Sequence, residues 1–118
     1  MREALTIAPD NAAAHFALGL VLVRQHQLPD ATAMLAEAAE QDPGNAHYTY
    51  VDAIALNSTG AQDRARHMLE ASQTRHPADR ETLAGLASLA RDAGDQTEAA
   101  RWTDLLSRLE GDGGGTPR

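Results

Sequence analysis

The feature that most constrains this chain is a spacing of 34 residues between three of its prolines. An Asn or Asp follows each of these prolines by two positions, and the pairs are Pro9 with Asn11, Pro43 with Asn45, and Pro77 with Asp79. Proline cannot continue a helix, whereas Asn and Asp cap a helix N-terminus by accepting a hydrogen bond from an otherwise unpaired N–H. Each pair therefore predicts the end of one helix and the beginning of the next. Regular repetition of such pairs predicts a linear array of equivalent units.

Small residues follow the same period inside the units. Ala31, Ala65 and Ala99 are each 34 residues apart, and Gly60 and Gly94 share this spacing between two helical stretches. The alanines predict points where two helices cross closely, and the glycines predict the turns between them. Because the connections are short, the two helices of each unit should be antiparallel neighbours.

These signals predict the organisation of the whole chain. Residues 1–11 are predicted to be the tail of a preceding repeat helix or an N-terminal cap. The predicted repeats follow at 12–45, 46–79 and 80–110, and a disordered Gly-rich tail is predicted at 111–118. The helices expected within the repeats are 12–25, 29–41, 46–57, 62–74, 80–92 and 96–109.

The composition favours helices throughout. The chain is 42% hydrophobic but only 3% aromatic, so its core must be built mainly from Ala and Leu. These residues lead the helix-propensity scale, whereas β-branched residues are sparse. We therefore predict an all-α fold.

Charge and cysteine content exclude several classes of function. The formal net charge is −7, and all ten basic residues are arginine. A chain this acidic is not expected to bind nucleic acid or anionic membranes by bulk electrostatics, and no stretch is long and apolar enough for membrane insertion. The chain has no cysteine, so it forms no disulfide or thiolate site. The sequence does not decide the cellular compartment of the protein, which is the cytoplasm or, for a chain cut from a longer precursor, the periplasm.

Residues at fixed offsets within the units resemble the tetratricopeptide repeat family. The first unit carries its pattern most fully, at Leu18, Gly19, Leu22, Ala31, Leu35, Ala38 and Pro43. The resemblance implies a right-handed α-solenoid of antiparallel helix-turn-helix repeats that binds protein partners. The second unit departs from the pattern, because Asp52 and Ala53 stand where a Leu-Gly pair is usual. The third unit has Gly111 in place of the closing proline.

No catalytic or metal-binding constellation is recognisable. The five histidines are His15, His26, His47, His67 and His76. No two of them have the i, i+3 or i, i+4 spacing that places ligands on one helical face, so we predict isolated surface histidines. No nucleophile lies near a base in a known motif. We therefore expect neither an enzyme nor a bound metal or cofactor.

The first helices of the repeats carry the predicted binding groove. In repeat stacks of this type these helices line the concave surface, and the residues assigned to it by helical spacing are Phe16, Leu20, Val23, His47, Tyr50, Ile54, Asn57, Glu81, Ser88 and Arg91. This groove is apolar at one end and polar at the other. We therefore expect a scaffold that binds a peptide or a protein segment. Part of the apolar stripe could instead be ordinary core.

Three further hypotheses concern other features of the chain. Trp102, Leu105 and Leu109 share one stripe of the last helix, which predicts weak homodimerisation, against the alternative that the stripe packs on the preceding helix. The chain could also be a self-associating or accessory segment of a larger bacterial assembly protein, including one linked to cytochromes. A basic cluster could hold an acidic partner segment or simply be solvated, and it comprises Arg64, Arg66, His67, Arg75, His76 and Arg80.

Overall fold

The computed structural model describes residues 11–114, and the side chains of residues 11–111. This part of the chain forms six helices and no strand: α1 (Ala12–Arg24), α2 (Leu28–Gln41), α3 (Ala46–Ser58), α4 (Gln62–Arg75), α5 (Arg80–Asp92) and α6 (Gln96–Gly114). The all-α prediction is therefore confirmed. Every predicted helix end agrees to within one residue, except the end of α6.

The predicted N-caps begin the first helix of each repeat. In each case the side chain of the Asx residue accepts a hydrogen bond from the backbone N–H three residues later, as the capping rule requires. The bonds join Ala14 N to Asn11 Oδ1 (3.0 Å), Tyr48 N to Asn45 Oδ1 (3.2 Å) and Thr82 N to Asp79 Oδ2 (2.9 Å). The Asx residues at intervals of 34 thus fix where successive repeats begin.

The helices pack as three hairpins stacked in a row. Within the hairpins α1 packs on α2, α3 on α4 and α5 on α6, while α2–α3 and α4–α5 contacts join one hairpin to the next. The first helices α3 and α5 also contact each other. This nearest-neighbour arrangement is the solenoid architecture that the period predicts.

Small residues allow the helices of each hairpin to approach closely. Ala31 and Ala65 are fully buried and Ala99 is 5% exposed. In the first hairpin, a Cβ added to Gly19 would lie only 2.7 Å from the Leu35 side chain. The predicted close helix contact is confirmed in the first hairpin, and Ala65 and Ala99 are buried as such contacts require.

A cluster of buried side chains spans the second and third hairpins. It comprises Ala53, Ala65, Leu69, Leu83, Leu86, Ala87, Leu89 and Trp102. Trp102 is only 4% exposed, and the partly buried Leu105 and Leu109 pack against the same cluster. Trp102 is therefore a core residue, and its assignment to a self-association surface is corrected. The apolar stripe of α6 is covered because it faces α5. Homodimerisation itself stays a prediction.

Two of the predicted segments, the remnant repeat and the Gly-rich tail, lie at the ends of the chain. Helix α6 continues to Gly114, so residues 111–114 are helical rather than part of a disordered tail. Glycine lowers helix propensity but does not stop a helix as proline does, and Gly111 occupies the place of the closing proline. The remnant repeat predicted at residues 1–11 lies almost wholly outside the described residues, as do residues 115–118 of the predicted tail.

The turn of the first hairpin has a strained residue that the other two hairpins avoid. His26 adopts a φ of +61°, and its equivalents one and two repeats later are Gly60 (+95°) and Gly94 (+79°). A left-handed conformation is costly for a residue with a Cβ, although glycine loses more backbone entropy on folding.

We expect His26→Gly to raise the free energy of unfolding by about 0.5–1 kcal/mol, measured by urea denaturation. Gly60→Ala should lower it, and a destabilising His26→Gly would contradict this explanation.

Candidate functional site

The first helices of successive repeats touch one another on one side of the stack. The ring of Tyr50 on α3 lies against Gly85 on α5, and a Cβ added to Gly85 would be 3.1 Å from that ring. Two second helices, α2 and α4, are instead separated by a cavity that both of them line. The first helices α3 and α5 therefore approach each other more closely than the second helices α2 and α4 do. Gly85 was not predicted as a groove residue, because its role depends on the position of a ring in the preceding repeat.

Four of the predicted groove residues meet at an apolar cavity. Leu20 and Val23 of α1 line it together with Tyr50 and Ile54 of α3, and its volume is about 180 Å³. The other lining residues are Leu28, Leu35, Val51, Ala55 and Ser58. The four predicted residues are all half-buried. We call Leu20, Val23, Tyr50 and Ile54 the apolar strip.

Aromatic rings extend this surface toward the N-terminal ends of α1 and α3. Phe16 stacks on Tyr48 with ring centroids 4.5 Å apart, and it meets the His47 ring edge-on at 5.5 Å. Phe16 and Tyr50 are equivalent in sequence, but the ring that contacts Phe16 is that of Tyr48. Equivalent positions in adjacent repeats are displaced along the stack, so a match in register does not produce a contact. Tyr48 is a site residue that the sequence reading missed.

The polar end of the predicted groove is cross-linked by hydrogen bonds between α3 and α5. His47 Nδ1 lies 2.7 Å from Glu81 Oε1, and Asn57 Nδ2 donates to Asp92 Oδ2 at 2.9 Å. The side chains of His47 and Glu81 are 53% and 44% exposed, so this pair contributes little to stability. Both bonds join α3 to α5. The predicted groove residues Ser88 and Arg91 lie on α5, half-buried and exposed respectively, and line neither cavity.

A second cavity lies on the opposite side of α3. It opens between α2 and α4, has a volume of about 330 Å³, and includes Asp52 of α3 in its wall. Asp52 and Tyr50 are two residues apart, which places them about 200° apart around a helix. Asp52 is only 2% exposed. Burial raises the pKa of its carboxyl group to about 6, the Arg64 guanidinium opposes this shift, and the Glu40 carboxylate adds to it.

The basic cluster is partly engaged within the chain. Arg66 Nη2 lies 3.4 Å from Asp95 Oδ2, and Arg75 Nη1 donates to the Pro43 carbonyl oxygen at 3.1 Å. Arg64 and Arg75 are among the residues that line the larger cavity. Two members of the cluster, Arg66 and Arg75, thus have partners within the chain.

One histidine departs from the expected surface position. His15 is 5% exposed, and its Nδ1 lies 2.9 Å from Gln41 Oε1, so it is a core residue that ties α1 to α2. Among the described residues, no group of three His, Cys, Asp or Glu side chains is arranged to hold a metal ion. Nor does any helix in residues 11–114 have both the length and the apolar character needed to cross a membrane.

Comparison with known proteins agrees with this geometry. Residues 1–54 match the family model of the tetratricopeptide repeat. No curated protein matches the sequence at a significant level.

Solved structures of MamA share the fold over nearly the whole chain. One MamA crystal structure matches with a TM-score of 0.84 and 17% identity, covering 93% of this chain and 64% of its own. The MamA structure designated AMB-1 matches with a TM-score of 0.76 and 25% identity, covering 97% and 64%. The one designated MSR-1 has a TM-score of 0.77 and 23% identity, covering 92% and 63%. The chain thus spans less than two thirds of the length of each of these MamA chains. The matched residues, the capped hairpins at intervals of 34 and the shared fold show that the chain is built of tetratricopeptide-like helical repeats.

Proposed function

We propose that the chain is a protein-interaction scaffold whose apolar strip binds a hydrophobic segment of a protein partner. The observation that carries this proposal is the cavity of about 180 Å³ between the first hairpin and α3, whose lining includes Leu20, Val23, Tyr50 and Ile54. Helical repeat stacks use their concave faces as extended binding surfaces. A groove of half-buried apolar side chains is the kind of surface into which an amphipathic segment places its anchors.

The surroundings of the apolar strip support recognition of a segment rather than of a small ligand. The stacked rings of Phe16 and Tyr48 continue the surface on one side. On α5 the surface becomes polar, with Glu81 held by His47 and Asp92 by Asn57. An apolar centre with a polar margin is typical of protein interfaces. A partner segment with apolar anchors and polar flanking residues would match this distribution.

We expect Tyr50→Ala to weaken partner binding by about 1–2 kcal/mol, because aromatic residues at interface centres commonly cost this much when truncated. The probe is an apolar peptide selected from a displayed library of random segments of about 12 residues. Its dissociation constant would be measured by fluorescence titration for the parent and for Tyr50→Ala.

Tyr50 also packs against the core cluster and against Gly85, so the experiment must separate binding from folding. Circular dichroism and urea unfolding of both proteins provide that separation, and Tyr50→Phe is the matched control. This control retains the ring and should retain the affinity of the parent. If Tyr50→Ala unfolds the chain and leaves no separable loss of binding, Tyr50 acts as core and its assignment to the groove fails.

A further inference from the structure

Asp52 places a carboxylate where the repeat pattern places leucine. The equivalent positions one repeat before and one repeat after are Leu18 and Leu86, and both leucines are buried. Asp52 is buried to the same degree, at 2% exposed. Burying a carboxylate is costly unless it is paired or hydrogen-bonded. Departures of this kind from an otherwise consistent local pattern are concentrated at functional sites.

The carboxylate of Asp52 is incompletely satisfied by the chain itself. Its Oδ1 atom is buried and has no hydrogen-bond partner among the described residues. Arg64 attracts this carboxylate and so lowers its pKa, but no ion pair within 4.0 Å joins the two among the described side chains. The carboxylate therefore retains the capacity to accept a hydrogen bond from a cationic donor that enters the cavity.

The walls of the cavity combine acidic, basic and apolar groups. The exposed Glu40 of α2 lines it beside Asp52, and the charged residues contributed by α4 are Arg64 and Arg75. Arg75 already donates to the Pro43 carbonyl oxygen. Apolar contacts are provided by Ala36, Ala39, Met68 and Ala71. A volume of about 330 Å³ accommodates a long side chain with methylene groups against these walls and a charged end group at the carboxylates.

We propose that this cavity binds an organic cation on an aliphatic stem, the ammonium of a lysine or the guanidinium of an arginine from a partner protein, with Asp52 as its counter-charge. The site lies on the opposite side of α3 from the apolar strip and does not depend on the function proposed for that strip. The chain contains no lysine, so a lysine would come from a different protein, whereas an arginine could also come from a second copy.

The test is a nuclear magnetic resonance titration of the isotopically labelled full chain at pH 7. The probes are the N-acetyl, N-methylamide derivatives of lysine, arginine and norleucine, the last of which has an aliphatic stem without a charge. The lysine or arginine derivative should shift the Asp52 carboxyl carbon and the amides of Thr49, Met68 and Ser72. The derivative with the larger effect identifies the cation. The norleucine derivative should leave these signals unchanged.

Two variants and a pH series complete the test. Asp52→Asn keeps the shape of the side chain and should weaken cation binding roughly tenfold or more, since a charged hydrogen bond is lost. Glu37→Gln, at an exposed position of α2 that is not part of the cavity wall, removes one negative charge as Asp52→Asn does, so it is the control for net charge and should bind the cation as the parent does. Because the pKa of Asp52 is about 6, about one tenth of its carboxyl groups remain ionised at pH 5, and binding of the parent should be roughly tenfold weaker there than at pH 7.

Three outcomes would overturn the proposal. The first is equal binding of the norleucine derivative by the parent protein. The second is unchanged affinity in a folded Asp52→Asn. The third is an absence of shifts at the cavity residues with either cation at about 100 mM.

Discussion

Replacing Trp102 with alanine is expected to lower the free energy of unfolding by about 3–5 kcal/mol, the usual cost of removing a large buried aromatic side chain. Trp102 is 4% exposed within the main core cluster, and the Arg101 guanidinium lies 4.5 Å from its ring centroid. A folded domain has a total stability of only about 5–15 kcal/mol. The loss should therefore appear as a large fall in the midpoint of urea denaturation, with the third hairpin unfolding first.

The matched control is Thr103→Ala, at the exposed neighbouring position, which should leave the midpoint nearly unchanged. Trp102→Phe should give an intermediate loss. Sedimentation of Trp102→Ala beside the parent distinguishes the core assignment from the surface hypothesis. If Trp102→Ala retained the stability of the parent while converting a dimer to a monomer, the ring would belong to an intermolecular contact.

The second large effect is expected for Ala65→Leu, which should lower the free energy of unfolding by about 1–3 kcal/mol through overpacking of the α3–α4 contact. Ala65 has no exposed surface and lies in the core cluster beside Leu69. Three additional carbon atoms at this point require the two helices to separate or their side chains to leave favourable rotamers. Urea denaturation of the variant and the parent measures the loss.

Ala61→Leu provides the comparison, because Ala61 precedes α4 and is only half-buried. It should cost much less than Ala65→Leu. Equal unfolding midpoints for the two variants would show that the helices do not cross at Ala65.

The hairpins could be predicted from the sequence because their signals are local and repeated. An Asx N-cap such as Asn45 acts within its own first turn, and its hydrogen bond to Tyr48 N is present. Small residues at intervals of 34, such as Ala31 and Ala65, mark close helix contacts regardless of what the rest of the chain does. The helix ends followed from these signals except at Gly114, where no proline stops α6.

The contacts between repeats could not be predicted in the same way. Helical periodicity places Phe16 and Tyr50 at equivalent positions, but the displacement between adjacent hairpins brings Tyr48 onto Phe16 instead. The stripe containing Trp102 was recognisable as apolar, yet only the packing of α6 on α5 shows which surface covers it. Amphipathicity indicates that a face is buried and does not identify its partner.

The cavity at Asp52 had one signal in the sequence, an Asp at a position where the repeat pattern has leucine. From the sequence alone, this Asp indicates only a weaker match to the family pattern. Its significance depends on two properties that require the fold, namely burial to 2% exposure and an Oδ1 atom without a hydrogen-bond partner among the described residues. The two sides of α3 thus differ in chemistry, with an apolar strip on one and a buried carboxylate on the other.

The proposed binding function is tested most directly by placing a charge in the apolar strip without disturbing the core. Leu20 lines the smaller cavity and is not part of the main core cluster, so Leu20→Asp should remain folded. Peptides selected on the parent from the displayed library should be rich in apolar anchors and should bind Leu20→Asp at least roughly tenfold more weakly, because an unpaired carboxylate would be desolvated by the bound segment. The same peptides should bind Asp52→Asn as tightly as the parent. Selected peptides that bind a folded Leu20→Asp and the parent with equal affinity would contradict the assignment of the apolar strip as the binding surface.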